Sequence, residues 1–70
     1  MCLAIPGKII EIEGDKAKID FGEGSIYKAN VSLVDAEVGK WALVHAGYAI
    51  RIMEEKEAKE TLSLFDELLQ

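Results

Sequence analysis

The sequence has little of what small domains use for covalent or metal cross-links. Its 70 residues include one cysteine, Cys2, and one histidine, His45. A single cysteine cannot form an internal disulfide, and one cysteine with one histidine cannot complete a structural zinc site, which takes four protein ligands. A free thiol survives in a reducing compartment, so we expect a cytoplasmic protein.

Basic clusters and long apolar runs are also missing. The net charge is −5, and the eight lysines and arginines are scattered singly. This balance argues against nucleic acid as a partner, because phosphates select for basic patches. No apolar run approaches the ~18 residues that span a bilayer, and no signal segment opens the chain, so no membrane partner is expected.

The hydrophobic pattern that is present predicts short strands. β-branched residues dominate 8–13, and polar and apolar residues alternate over 16–21. Further strands are predicted over 25–30, 41–46 and 48–53, separated by glycine-containing turns and a polar loop. The nearly continuous apolar run 41–46 predicts the strand that is most buried, covered on both of its faces.

The pattern changes to a helical period from residue 54. Glu55 and Lys59 have the i,i+4 spacing of a favourable ion pair. One apolar stripe of this helix is predicted from spacing, and its members are Ala58, Leu62, Phe65, Leu68 and Leu69. The sequence thus predicts a single domain over 1–70, with a β-barrel over 1–53 that includes a functional N-terminal segment, and a C-terminal helix over 54–70.

Five short strands in so small a chain must curl or close to hide their edges. We therefore predict a mainly β fold, a small OB-like β-barrel of about five strands with a C-terminal α-helix. A domain of this size leaves little volume for an enclosed substrate cavity, so an active surface is expected to be shared with a partner.

Cys2 is the first candidate for chemistry. Removal of Met1 is expected, and Cys2 would then carry both a free α-amine and a thiol. The ammonium favours the thiolate, which is a soft ligand suited to iron. Pro6 and Gly7 help to aim the segment. The alternative is that Cys2 is only a small hydrophobic residue or part of a frayed terminus.

His45 is the second candidate. A lone histidine in an apolar strand is often a hydrogen-bonded structural residue, but its imidazole can also bind iron or move a proton beside a thiolate. Two ligands suit a metal site that another protein, or diatomic ligands on the metal, would complete. A nucleophilic Cys2–His45 pair is the enzyme alternative, although no third orienting group is evident.

Three blocks of the sequence, 1–8, 17–22 and 38–50, resemble the HypC/HupF family of hydrogenase-maturation chaperones. The block Met-Cys-Leu-Ala-Ile-Pro-Gly-Lys at 1–8 is the most specific, and Glu60-Thr61-Leu62 in the acidic helix also fits. The chain differs at Tyr48, where the family often has Phe, and at Lys40, where it often has Asp or Glu. Neither difference touches the candidate ligands.

The resemblance implies a non-enzymatic chaperone that carries iron transiently as Fe(CN)2CO and has no permanent cofactor. It implies two partners, the iron–sulfur protein HypD and the large-subunit precursor of a [NiFe]-hydrogenase. The family's key cysteine falls on Cys2 and its motif histidine on His45. The predicted metal ligands are therefore Cys2 and His45, and the predicted partner-binding residues are Cys2, Leu3, Ala4, Ile5 and Pro6. The alternatives are a generic docking module with an inert Cys2 and a thiol enzyme.

Overall fold

The computed structural model describes residues 4–69, and the side chains of residues 4–64. Five strands form a closed barrel in the order β1-β2-β3-β5-β4, and one helix follows them. The elements are β1 (Ile5–Glu13), β2 (Lys16–Asp20), β3 (Ile26–Asn30), β4 (Trp41–His45), β5 (Tyr48–Met53) and α1 (Glu55–Leu69). The predicted mainly β fold, a five-stranded barrel with a C-terminal helix, is confirmed.

Strand β1 begins at Ile5, three residues earlier than the predicted start at residue 8. The first residues of β1 run antiparallel to β4, with Pro6 opposite Leu43 and Gly7 opposite Ala42. The rest of β1 pairs with β2. Strand β1 is long because it pairs with β4 at its start and with β2 over the rest. The pairing of its start with β4 closes the barrel.

The core is built from small and β-branched side chains that fit a narrow barrel. It contains Ile9, Ala17, Ile19, Ala29, Val31, Ala42 and Ala49. The prediction that β4 is covered on both faces is wrong, because only Ala42 is buried in it and the other four residues are partly exposed. Barrel strands alternate interior and exterior positions, so an apolar run does not by itself mean burial on both faces.

Gly7 packs against the neighbouring strand β2 so closely that no side chain fits there. A Cβ atom at this position would overlap the Cγ2 atom of Ile19 and lie 2.8 Å from Cε1 of Phe21. The glycine therefore permits β1 and the β2 side chains to come together at the point where the barrel closes.

Helix α1 packs against β1 and β4, with Ala58 fully buried. Its predicted i,i+4 pair is confirmed, since Lys59 Nζ lies 3.1 Å from Glu55 Oε1. The predicted stripe residues Phe65, Leu68 and Leu69 lie outside the described side chains. In the part of the chain that the structure describes, no helix is long and apolar enough to cross a membrane.

A contact from β5 also holds the start of α1. The Arg51 guanidinium lies 2.6 Å from Glu57 Oε2, and this hydrogen bond, together with the carboxylate charge, raises the pKa of Arg51 above its ordinary value. Both groups are half exposed, so solvent weakens the pair.

Candidate functional site

The strand register brings the start of β1 to the same end of the barrel as the end of β4. Ile5 lies opposite Val44, and the strands are antiparallel. His45, the next residue of β4, therefore lies where the chain enters β1. Cys2 and Leu3, which the sequence predicts as a metal ligand and a docking residue, lie outside the described residues.

His45 is half-buried at the end of β4 and pairs with Tyr48 of β5. None of the hydrogen bonds found among the side chains of residues 4–64 involves its imidazole. The alternative of a hydrogen-bonded structural histidine thus finds no partner among those side chains.

A two-residue turn, Ala46–Gly47, follows His45 and reverses the chain. Both residues have positive φ angles, 51° at Ala46 and 84° at Gly47. Positive φ at both central positions is the mark of a type I′ hairpin, whose twist matches that of the flanking strands. The glycine-containing turn predicted between the strands at 41–46 and 48–53 is confirmed, whereas the strained conformation of Ala46 has no signal in the residue itself.

Replacing Ala46 with asparagine is expected to stabilise the protein by about 0.5–1 kcal/mol. An alanine in the left-handed region costs about 1–2 kcal/mol, and asparagine tolerates that region better. Urea unfolding measures the change, and Ala46→Val is the matched opposite, since a β-branched residue is least compatible with positive φ. Equal unfolding midpoints for all three proteins would show that the turn is not strained.

An apolar groove of about 410 Å³ opens beside the start of β1. This groove, called the apolar groove below, is lined by Ile5, Phe21, Ser25, Tyr27, Val44 and Ala46. The hydroxyl groups of Ser25 and Tyr27 are the polar side-chain groups in this lining, and none of the six residues is charged. Phe21 and Tyr27 pack as a tilted aromatic pair with ring centroids 6.0 Å apart.

Three predicted partner-binding residues lie within the described part of the chain. Ile5 is 41% exposed and lines the apolar groove, and Ala4 is partly exposed. Pro6 is instead fully buried, so its side chain offers no surface to a partner and acts by holding β1 in place. The predicted docking surface among the described residues is thus reduced to Ala4 and Ile5.

The groove residues contributed by other strands were missed in the sequence. Phe21, Tyr27 and Val44 read as ordinary strand positions, and their meeting depends on barrel closure. Among the described residues, no group of three or more His, Cys, Asp or Glu side chains is placed to hold a metal ion. A metal bound here would therefore need donors from elsewhere.

Comparison with known proteins decides the family. The model of the HupF/HypC family matches residues 1–65, nearly the whole chain. The chain belongs to the HupF/HypC family. The resemblance found at 1–8, 17–22 and 38–50 is thereby confirmed.

Curated relatives of this HupF/HypC chain are named hydrogenase maturation factor HypC. The protein from Helicobacter hepaticus is 36% identical over all of this chain and 84% of its own length. The protein from Cupriavidus necator is 41% identical over 97% of this chain and 77% of its own length. The Escherichia coli K12 protein is 38% identical over 89% of this chain and 76% of its own length.

Proposed function

We propose that this HupF/HypC chain acts in hydrogenase maturation as a chaperone that carries iron, with Cys2 as its principal iron ligand. The iron is cargo, held as Fe(CN)2CO while its cyanide and carbonyl ligands are assembled with HypD. The chain then delivers this cargo to the large-subunit precursor of a [NiFe]-hydrogenase. Family membership and the names of the curated relatives support the maturation role.

One observation carries the iron-site proposal, the register that sets the start of β1 beside His45. Cys2 precedes Ile5 by three positions, and three extended residue steps span about 10 Å. The Cys2 thiolate is therefore tethered within reach of the half-buried imidazole. Soft sulfur and imidazole nitrogen are both suitable donors for iron.

Cys2 and His45 alone are too few ligands to enclose the metal, and this suits a carrier. Two donors leave positions on the iron open for cyanide, carbonyl and groups from a partner. A closed set of four protein ligands would hold the metal as a structural element. An incomplete set lets the cargo leave when the next partner offers a better site.

The docking surface we propose begins at Leu3, Ala4 and Ile5 and continues into the apolar groove. Exposed apolar residues rimmed by polar ones mark protein-binding surfaces. A chaperone that changes partners needs a small, exchangeable interface rather than a permanent one. HypD and the hydrogenase precursor would then use this surface in turn.

Iron analysis of the protein purified without oxygen, alone and with HypD, tests this function. We expect the complex to hold iron in near-equal amount to this chain in addition to the iron that HypD holds alone, and the isolated chain to hold less. A generic docking module would form the same complex but leave its iron content equal to that of HypD alone. Turnover of a substrate by the isolated chain would instead indicate a thiol enzyme.

Replacing His45 with alanine is expected to lower the iron content of the HypD complex while leaving the complex itself intact. The imidazole binds the iron itself or hydrogen-bonds a group that does, and loss of such a hydrogen bond typically costs 10–100-fold in metal affinity. His45→Gln keeps a polar side chain of similar length and serves as the control for shape. Unchanged iron content in His45→Ala would remove His45 from the set of ligands.

A further inference from the structure

The barrel closes between β3 and β5 through a single residue pair, so most of β3 is left as an open edge. Strands β3 and β5 run parallel and meet at one pair of residues, Asn30 and Tyr48. There the Asn30 N–H donates to the Gly47 carbonyl oxygen at 2.8 Å. The remainder of β3, from Ile26 to Ala29, has β2 as its only strand partner in the described sheet.

The backbone groups at this edge can be assigned from the ladder. Successive residues of a strand direct their N–H and C=O groups to opposite sides, and Asn30 directs its N–H to the β5 side. Lys28 and Ile26 are two and four residues before Asn30, so their N–H and C=O groups also face away from β2. Within residues 4–69 these groups have no strand partner, and they form an edge of the kind that accepts an additional strand.

The apolar groove lies along the same edge. On one side it is lined by Tyr27 of β3 and by Ser25, the residue before β3. On the other side it is lined by Val44 of β4 and by Ala46 in the turn that follows. Ile26 and Tyr27 are 48% and 65% exposed. A strand laid along β3 would place every second side chain over this groove, and the others would share the outer face with Lys28.

The charge of Lys28 favours an acidic side chain in the added strand. Lys28 lies opposite Lys18, whose Nζ atom is 3.4 Å from Glu11 Oε2, and Lys28 belongs to none of the ion pairs found among the described residues. A second copy paired antiparallel about the centre of β3 would set Lys28 against Lys28, which disfavours self-association. An acidic side chain in that position would neutralise it.

We propose that the open edge of β3 binds an extended segment of a partner protein as an added strand. An acidic side chain of the segment lies beside Lys28, and the apolar side chains flanking it enter the apolar groove. Main-chain hydrogen bonds to Ile26 and Lys28 supply affinity, and the groove and the lysine supply specificity. This goes beyond the proposed iron carriage and requires neither Cys2 nor metal.

Titration of the full chain, labelled with ¹⁵N, against two capped peptides tests the proposal by nuclear magnetic resonance. The peptides are Thr-Val-Glu-Val-Thr and Thr-Val-Lys-Val-Thr, which match β3 in length. We expect the glutamate peptide to bind up to about fivefold more tightly, the range of a cross-strand charge pair. Binding should slow hydrogen exchange at the amides of Ile26 and Lys28.

Two variants at one position separate the roles of charge and backbone. Lys28→Glu should reverse the preference toward the lysine peptide. Lys28→Pro removes an edge N–H that does not pair with β2, so it should abolish binding of both peptides. If Lys28→Pro does not fold, the reversed peptide preference of Lys28→Glu still tests whether the peptide binds beside residue 28.

Several results would overturn the proposal. One is saturable binding with unchanged exchange at Ile26 and Lys28, which would locate the peptide elsewhere. Another is an unchanged peptide preference in Lys28→Glu. Absence of binding by either peptide at millimolar concentration, or occupation of this edge by a second copy of the chain, would do so as well.

Discussion

Cells whose only copy of this chain carries Cys2→Ala are expected to lose hydrogenase activity to the background level. Alanine keeps a small side chain but removes the sulfur donor, and His45 alone cannot retain iron against water and cellular chelators. Hydrogen-dependent dye reduction by cell extracts measures the effect. The inactive large-subunit precursor should accumulate, since no iron is delivered to it.

Two controls make this result specific to the sulfur. Ser63→Ala changes an exposed helix residue outside the proposed site and should leave activity unchanged. Immunoblotting of the Cys2→Ala chain checks that its cellular amount equals that of the unaltered protein. Normal hydrogenase activity with the alanine variant would end the proposal that Cys2 carries the metal.

Replacing Gly7 with alanine is expected to destabilise the protein by about 1–3 kcal/mol, the cost of overpacking a well-packed core. The added Cβ would overlap Ile19 Cγ2 and crowd the Phe21 ring, at 2.8 Å from Cε1 and 2.9 Å from Cδ1. Ile19 is fully buried in the core. Urea unfolding measures the loss, which is large against the marginal stability of a small domain.

Two further variants identify the cause as steric. Lys8→Ala changes the neighbouring exposed position of β1 and should shift stability by less than about 0.5 kcal/mol. The double variant Gly7→Ala, Ile19→Ala should lose less free energy of unfolding than the two single variants lose together. The new methyl group fills part of the space left by Ile19. Strict additivity would show that the glycine is needed for some other reason.

The strands and the helix could be predicted because their signals are local. Alternation over 16–21 and helical spacing after residue 54 each reflect one face turned to the core. The start of β1 was missed because Pro6 and Gly7 are typical of turns and not of strand interiors. In the folded chain both are buried, and Gly7 is required by a contact with β2 that only the closed barrel creates.

The candidate site was only partly predictable for the same reason. Cys2 and His45 could be singled out as the only residues of their type, and family resemblance gave them roles. That the chain enters β1 beside His45 depends on the register of β1 with β4, which no local pattern specifies. The apolar groove joins residues from β1, β2, β3 and β4, so it exists only after closure. Neither the groove nor the open edge of β3 could be found in the sequence alone.

Infrared spectroscopy of the complex with HypD, co-purified without oxygen, tests iron carriage by Cys2 most directly. Bound cyanide and carbonyl absorb in a spectral window that is free of protein bands. We expect both ligands in the complex with the unaltered chain, and their loss with Cys2→Ala while HypD still co-purifies. Undiminished cyanide and carbonyl bands in the Cys2→Ala complex would show that this sulfur does not hold the iron.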